Sequence, residues 1–250
     1  MIGIVGYGHV GKAMKELFRD AIIYDKYIEM DMKEDINRCE VVFVCVPTPM
    51  LEDGSCDTSD VDDVLEWVDA DVIVIRSTVP IGYTRTMREK LRKHIVFQPE
   101  YYGETVNHPL ADLRKRDWIV LGGDIEDTSK VLEVYQKVYT AEVKIAKIDS
   151  DTAEMAKYME NAFYATKVTF CNEMYDIATA YNIDYDLLRE IWLMDPRINI
   201  SHTFVYKDNR GYGGSCLPKD ICSLKYMAEK KGINADLIKS VIEKNDKYQI

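Results

Sequence analysis

Short apolar runs alternate with helical patterns through the first half of the chain. Strands rich in Val and Ile that alternate with helices are typical of a parallel sheet with crossover helices. The strands that we predict are Ile2–Val5, Ala21–Tyr24, Val41–Val46, Val72–Arg76, Ile95–Gln98 and Trp118–Leu121, with Val143–Ile145 at an edge, and the helices are Val10–Phe18, Val61–Val68, Thr84–Lys93 and Thr128–Val138. Because only about 15 residues separate Asp25 from the third strand, we predict a single helical turn around Asp35–Cys39 there.

After Asp149 the strand pattern gives way to helices. Ser150-Asp151-Thr152 offers N-cap side chains, and the sequence from Thr152 to about Tyr181 contains no Gly or Pro. The resulting helix, roughly 45 Å long, has an apolar face that needs cover from another domain or another chain. Further helices are predicted at Tyr185–Leu193, Leu217–Lys231 and Ala235–Lys247. We therefore expect a Rossmann-type α/β domain at residues 1–148 and an all-helical domain at residues 149–250.

Composition excludes several classes of function. The chain has 250 residues and a net charge of −11, which argues against a nucleic-acid or anionic-membrane partner because both need a basic surface. No apolar run reaches the ~18 residues of a membrane span, and the first residues do not have the pattern of a signal peptide. The six cysteines form no CxxC pair. Their spacing predicts reduced thiols in a cytoplasmic protein and no metal site.

A glycine-rich turn follows the first predicted strand and opens a helix. It reads Gly6-Tyr7-Gly8-His9-Val10-Gly11, the G-x-G-x-x-G pattern in the context that a dinucleotide site requires. Gly6 allows the tight turn, Gly8 lets a pyrophosphate approach the backbone, and Gly11 lets helix and strand pack closely. Asp25, at the end of the second strand, would bind the adenosine ribose and repel a 2′-phosphate, which favours NAD over NADP. The alternative is a glycine turn that binds nothing.

Polar segments also follow the third, fourth and fifth strands. They are Val46-Pro47-Thr48, Ser77-Thr78-Val79-Pro80 and Gln98-Pro99-Glu100-Tyr101-Tyr102-Gly103-Glu104. An open α/β sheet binds its ligands at the carboxyl ends of its parallel strands. These segments are therefore predicted to line the cofactor and substrate site.

The stretch Gly211–Asp220 contains the most informative cysteine. Pro218 fits only the first turn of a helix, so Cys216 falls at or beside the N-cap, where the helix dipole favours a thiolate. The preceding glycines allow close approach of a ligand, and Asp220 lies one turn further along. The alternative is a thiol without a role.

Lys157 and Asn161 lie four residues apart on the long predicted helix, so they project from one face. An ammonium and an amide donor on one face could stabilise an oxyanion. The alternative is a solvated lysine beside an unrelated asparagine.

These motifs together resemble the UDP-glucose/GDP-mannose dehydrogenase family over nearly the whole chain. The segments that carry the resemblance are GYGHVG, VPTP, STVPIG, PEYYGE, the K-x-x-x-N helix with Asn172-Glu173, DPRI at Asp195–Ile198, and GYGGSCLPKD. In this family two NAD molecules are reduced in turn while the C6 alcohol of a nucleotide-sugar becomes a carboxylate. The last segment is highly specific to the family.

The resemblance implies a role for each matching residue. Cys216 would capture the aldehyde and carry the substrate as a thioester, with Lys157 and Asn161 stabilising the oxyanion and Asp220 positioning water and Lys157. Thr78 and Glu104 would hold water and the nicotinamide region, and Glu100 matches the acid proposed as a general base. The substrate-binding set would be Tyr101, Tyr102, Lys157, Asn161, Arg197, Gly213 and Gly214. The long helix resembles the family's dimerisation helix, which implies a homodimer.

The resemblance also has departures. Full-length relatives continue into a second Rossmann-like domain that binds much of the nucleotide, and the present sequence stops at Ile250. Four explanations stay open: a different mode of nucleotide binding, a separate chain that supplies the domain, a protein that has lost its activity, or a sequence cut from a longer gene. Two other hypotheses stay open. One is a two-electron dehydrogenase of the β-hydroxyacid type, and the other is an NAD-binding subunit without activity.

Overall fold

A computed structural model describes residues 1–102, 112–139 and 142–249. The first part of the chain runs β1 (Ile2–Val5), α1 (His9–Leu17), β2 (Ile22–Tyr24), α2 (Lys33–Ile36), β3 (Val41–Val44), α3 (Ser59–Trp67), β4 (Val72–Ile75), α4 (Tyr83–Leu91), β5 (Ile95–Phe97), a 3-10 turn (Leu113–Lys115), β6 (Trp118–Gly122), α5 (Ile125–Tyr135) and β7 (Lys144–Ile148). The second part contains α6 (Ser150–Ala180), α7 (Tyr185–Trp192), α8 (Leu217–Lys230) and α9 (Asp236–Asp246). The predicted elements are thus confirmed to within a few residues.

The chain forms two compact units. One comprises Met1–Pro49 and Cys56–Lys157, and the other comprises Met50–Ser55 and Tyr158–Ile250. The short excursion Met50–Ser55 therefore belongs with the helices, although it lies within the sequence of the α/β part. Helix α6 contributes residues to both units.

Within the described residues, the first unit holds a seven-stranded sheet in the order β2-β1-β3-β4-β5-β6-β7. Neighbouring strands are parallel except β5 and β6, which are antiparallel where Phe97 pairs with Gly122. The predicted Rossmann-type parallel sheet is thus confirmed, with one antiparallel pairing that the sequence did not indicate. A parallel return needs a crossover of a dozen or more residues, usually a helix. The described part of the connection from β5 to β6 contains only a 3-10 turn.

The two faces of the sheet bury separate apolar clusters. Alternate side chains along β3 point to opposite faces, so Phe43 joins one cluster with Phe18 and Val42 joins the other with Leu65. All four residues of β3 and of β4 are buried, which explains why both strands are continuous apolar runs in the sequence.

The β2 edge of the sheet is occupied by the segment that follows it. Ile23 N donates to a carboxylate oxygen of Asp31 across 2.8 Å, and Asp31 N donates to Ile23 O across 3.0 Å. Asp31 thus satisfies the backbone groups of Ile23 that a further strand would bind.

The second unit packs α8 and α9 against small residues of α6. Ala162, Ala165 and Val168 form a buried cluster with Ile221 and Val241. Another face of α6 carries large apolar side chains that are exposed in the single chain, among them Met159, Phe163, Phe170 and Ile177. None of the helices in the described ranges has the length and apolar character to span a membrane.

Candidate functional site

The glycine-rich turn of the first unit has the geometry of a phosphate cradle. Gly6 adopts a φ of 92°, and a Cβ atom there would lie 2.8 Å from Cys45 O. A Cβ atom on Gly11 would lie 1.9 Å from Gly6 O, whereas one on Gly8 would point into open space. Gly8 is the N-cap of α1 and supplies no side-chain cap, so the first-turn N–H groups face the open side. The turn therefore fits a pyrophosphate against the helix N-terminus.

Asp25 holds this turn from the end of β2. Its two carboxylate oxygens accept hydrogen bonds from Tyr7 N at 2.7 Å and Tyr27 N at 2.9 Å. A carboxylate has about four acceptor sites, so hydroxyl groups of a ribose can still bind the same oxygens. Asp25 thus orders the turn and can also bind a ligand.

The segments after β3 and β4 are tied to one another. Ser77 Oγ donates to Val46 O at 2.5 Å, and Thr48 Oγ1 donates to Thr78 O at 2.8 Å. The buried thiol of Cys56 also donates to Thr78 O, at 3.5 Å. This contact was not predicted from the sequence. These bonds fix the backbone around Thr78 at the carboxyl edge of the sheet, while Pro47 remains exposed.

Glu100 follows β5 and is the centre of a buried ionic cluster. Arg76 and Arg116 both pair with its carboxylate, the latter at 2.8 Å, and its oxygens accept from Tyr101 N and Tyr102 N. Burial alone would raise the pKa of this carboxyl, but the two guanidinium groups and the hydrogen bonds lower it to about 2. A carboxylate held in this way takes up protons poorly near neutral pH. Glu104, predicted beside it, lies outside the described residues.

Two aromatic rings follow Glu100. The Tyr101 ring faces the ammonium group of Lys157, which lies 5.0 Å from the ring centroid. The Tyr102 ring packs on His9 of the glycine-rich turn with 4.6 Å between centroids. Within the first unit, Tyr101 thus contacts Lys157, and Tyr102 contacts the predicted cofactor residue His9.

Glu154 is a further buried acid, and it was absent from the sequence prediction. It lies in α6 one turn before Lys157 and accepts from Gly82 N at 2.5 Å and Thr84 N at 2.9 Å, capping the start of α4. Burial raises the pKa of Glu154 to about 7, although the hydrogen bonds from Thr84 and Gly82 oppose the rise. The sequence could not show that Glu154 caps α4, because 70 residues separate Glu154 from Thr84.

In the second unit, Cys216 is the N-cap of α8, and Pro218 occupies the first turn, as predicted. The cysteine is exposed, with Ser215 Oγ 3.5 Å from its sulfur. Its sulfur lies beside the positive end of a 14-residue helix. The geometry suits a nucleophile.

Asp220 and Asn161 meet in the interior of the same unit. Asn161 Nδ2 donates to Asp220 Oδ2 at 2.5 Å, and Lys219 Nζ pairs with Asp220 Oδ1 at 2.5 Å. Asp220 lies one turn after Cys216, and Asp220 N donates to Cys216 O at 2.9 Å. The carboxylate therefore links the cysteine-bearing turn to helix α6.

The glycine loop before Cys216 is anchored by residues that the sequence did not single out for this role. Arg210 Nε donates to Asn172 Oδ1 at 2.6 Å, and Tyr212 N donates to Asn245 Oδ1 at 2.7 Å. Gly213 and Gly214 beyond these anchors are exposed. The loop is thus rigid at its base and open where it precedes Cys216.

Arg197 lies apart from these residues in sequence and is highly exposed. Its guanidinium pairs with Asp195 of the same turn at 2.5 Å. A long exposed side chain of this kind is free to contact a ligand or another chain.

The comparisons with known proteins connect both units to one family. Residues 11–143 match the NAD binding domain of the UDP-glucose/GDP-mannose dehydrogenase family, and residues 151–247 match its central domain. The chain belongs to this family. The predictions of a Rossmann-type domain, of a helical domain with one long helix and of NAD as cofactor are confirmed.

Among its relatives is a UDP-glucose 6-dehydrogenase of Pseudomonas aeruginosa, 31% identical over 86% of this chain and 50% of that protein. The chain spans about half the length of the curated relatives it matches. A UDP-glucose dehydrogenase of Pyrobaculum islandicum superposes with a TM-score of 0.85 and 25% identity, over 98% of this chain and 68% of that one.

A second structural neighbour has a shorter chain. The 3-hydroxyisobutyrate dehydrogenase of Mycobacterium tuberculosis superposes with a TM-score of 0.75 at 15% identity, over 99% of this chain and 92% of that one. This likeness concerns the fold alone.

Proposed function

We propose that the protein oxidises the C6 alcohol of a nucleotide-sugar to a carboxylate in two NAD-linked steps. The observation that carries the proposal is an exposed cysteine at the N-terminus of α8, one turn before a buried Asn161–Asp220 pair. A single hydride transfer needs no thiol, whereas oxidation of an aldehyde to an acid is eased by a covalent thioester.

Bound NAD would supply the hydride acceptor in each step, and a second NAD would replace the reduced one between the steps. In the first step the C6 alcohol would lose a hydride, pass its hydroxyl proton to water and become an aldehyde. In the second step the Cys216 thiolate adds to the aldehyde carbon, and the resulting thiohemiacetal loses a hydride to become a thioester. Water then cleaves the carbon–sulfur bond, which releases the carboxylate and restores the thiol.

The remaining residues would serve these steps through charge and position. Lys157 and Asn161 lie one turn apart on α6, and in the proposal they stabilise the oxyanion that forms at C6. Asp220 orients the Asn161 amide, and Thr78 with Glu104 would hold the nicotinamide and the attacking water. Arg197, Gly213 and Gly214 would contact the sugar-nucleotide. Glu100, with its low pKa, is assigned to positioning rather than to proton abstraction.

The partners of the chain are part of the same proposal. The exposed apolar side chains of α6 would be covered by a second copy, giving a homodimer. The matched relatives are about twice as long as this chain. We propose that the nucleotide is bound by further sequence of this kind, in the same polypeptide or in a separate chain. We also propose a cytoplasmic location, where cysteines stay reduced.

The test is NADH production against a panel of nucleotide-sugars with UDP, GDP and N-acetyl members. We expect two NADH per substrate from the wild-type chain and no acid from Cys216→Ser, which should still bind NAD. Cys222→Ser is the matched control, because Cys222 is also on α8 and only partly exposed. Unchanged acid production by Cys216→Ser would overturn the mechanism.

The alternative is a two-electron dehydrogenase, because the Lys157 and Asn161 pair on α6 could also serve a single hydride transfer. One NADH per substrate, insensitive to Cys216→Ser, would support it. NAD binding without turnover of any substrate would support a silent subunit instead.

A further inference from the structure

The segment after β5 contains the aromatic ring of Tyr101, for which the resemblance implies substrate binding but no role toward Lys157. Tyr101 lies between charged groups on different elements, and its ring faces the ammonium of Lys157 on α6. In the proposed function, Lys157 stabilises the oxyanion. A residue that fixes the position of Lys157 would therefore affect the rate of catalysis.

The backbone of Tyr101 is held by Glu100. Tyr101 N donates to Glu100 Oε1 at 2.6 Å, and Tyr102 N donates to the same oxygen. Glu100 is itself fixed by Arg76, which follows β4, and by Arg116, which precedes β6. Both arginine side chains are almost fully buried. The ionic cluster therefore leaves little freedom to the backbone that carries the Tyr101 ring.

The ring itself is supported on a second side. The Arg116 guanidinium lies 5.6 Å from its centroid, and the ring of Trp118 packs against it with 5.9 Å between centroids. A cation placed over the face of an aromatic ring is attracted by the ring quadrupole. With the ring held from the backbone and from Arg116, its face can define where the Lys157 ammonium rests, 5.0 Å away.

We propose that Tyr101 is a positioning residue for Lys157. Its ring, anchored through Glu100, restricts the rotamers of the long lysine side chain by attracting the ammonium to the ring face. The inference rests on the proposed function only for its catalytic consequence. The placement of the ammonium over the ring can be measured without any turnover.

The first measurement is NMR of the full chain after reductive methylation with ¹³C-formaldehyde, which labels the lysine ammonium groups and retains their charge. Lys157→Arg identifies the Lys157 signal by its loss. We expect a ring-current shift of that signal in the wild type and in Tyr101→Phe, and its loss in Tyr101→Leu. Tyr226→Leu is the matched control, because Lys230 lies 5.1 Å over the Tyr226 ring and only its signal should move. A Lys157 signal that is the same in the wild type and in Tyr101→Leu would overturn the inference.

The second measurement is steady-state kinetics with the best substrate of the nucleotide-sugar panel. We expect Tyr101→Leu to lower kcat about tenfold with little change in KM, and Tyr101→Phe to restore it. Full kcat in Tyr101→Leu, with the Lys157 signal moved, would overturn the catalytic role of the ring. If no variant turns over any substrate and the signal still depends on the ring, the proposed function fails while the placement of Lys157 stands.

Discussion

The side-chain amide of Asn161 donates to the carboxylate of Asp220 across 2.5 Å, and both groups are almost completely shielded from water. Asp220 also pairs with Lys219, whose side chain is only 13% exposed. Because these groups are buried, the Asp220 carboxylate compensates the charge of the Lys219 ammonium and accepts a hydrogen bond from the Asn161 amide.

Removal of the Asp220 carboxylate should therefore destabilise the second unit strongly. Asp220→Ala leaves a largely buried ammonium and a buried amide without this acceptor, which costs about 3–5 kcal/mol. We expect a loss of this size in the free energy of unfolding, measured by urea denaturation.

The control for Asp220→Ala is Asp236→Ala, which removes an exposed acid from the first turn of α9. That change should cost about 0.5 kcal/mol through the helix dipole. Equal effects of the two substitutions would contradict the buried pair.

Glu154 makes the stability of the first unit depend on pH near neutrality. Its pKa in the folded chain is raised to about 7 from an ordinary 4.5, so the folded state binds the proton more tightly than the unfolded state. The associated stability is present below pH 4.5 and is lost as the pH rises through about 7. Across that window the loss should be about 2–3 kcal/mol.

Glu154→Gln removes the titrating group, so its free energy of unfolding should fall less between pH 5 and pH 8 than that of the wild type. Glu126→Gln, an exposed acid in the first turn of α5, should leave the wild-type slope in place. The same slope in Glu154→Gln as in the wild type would show that Glu154 does not titrate in this range.

Glu100 should show the opposite dependence. Its folded pKa is lowered to about 2, so the stability that it contributes is present above its ordinary pKa of 4.5 and is lost as the pH falls through about 2.

Glu100→Gln leaves Arg76 and Arg116 buried without the carboxylate, and we expect a cost of about 3–5 kcal/mol at neutral pH. A variant as stable as the wild type in thermal unfolding would argue against a positioning role.

The glycines of the phosphate cradle should separate folding from binding. Gly8→Ala places its Cβ in open space, so the chain should fold normally but bind NADH at least about tenfold more weakly. Gly11→Ala places its Cβ 1.9 Å from Gly6 O, so it should lower the melting temperature as well. Calorimetric titration with NADH and thermal denaturation measure the two effects. Wild-type NADH affinity in Gly8→Ala would mean that the pyrophosphate does not approach this backbone.

The sequence predicted the elements well because their signals are local. Strands such as Val41–Val44 and Val72–Ile75 are continuous apolar runs, and the motif Gly6–Gly11 specifies a strand, a turn and a helix by itself. Pro218 likewise fixed the start of α8 and with it the N-cap position of Cys216.

The partners of the site residues could not be predicted in the same way. Arg76 and Arg116 lie 24 and 16 residues from Glu100, and Asn245 lies 33 residues from Tyr212. Nothing in the spacing distinguishes these side chains from other arginines and asparagines until the fold brings them together. The antiparallel pairing of β5 and β6 could not be predicted either. The residues of a strand do not specify its direction relative to its neighbour.

The carboxylate of Asp31 on the backbone of Ile23 has a consequence for how the chain behaves at high concentration. Exposed edge strands recruit other chains and lead to fibrous aggregates. At the β2 side, an incoming segment would first have to displace Asp31. At the opposite edge, β7 carries Lys144 and Lys147, and charged lysines disfavour pairing with a further strand. Both edges of the sheet thus disfavour pairing with another chain, the β2 edge through Asp31 and the β7 edge through its positive charge.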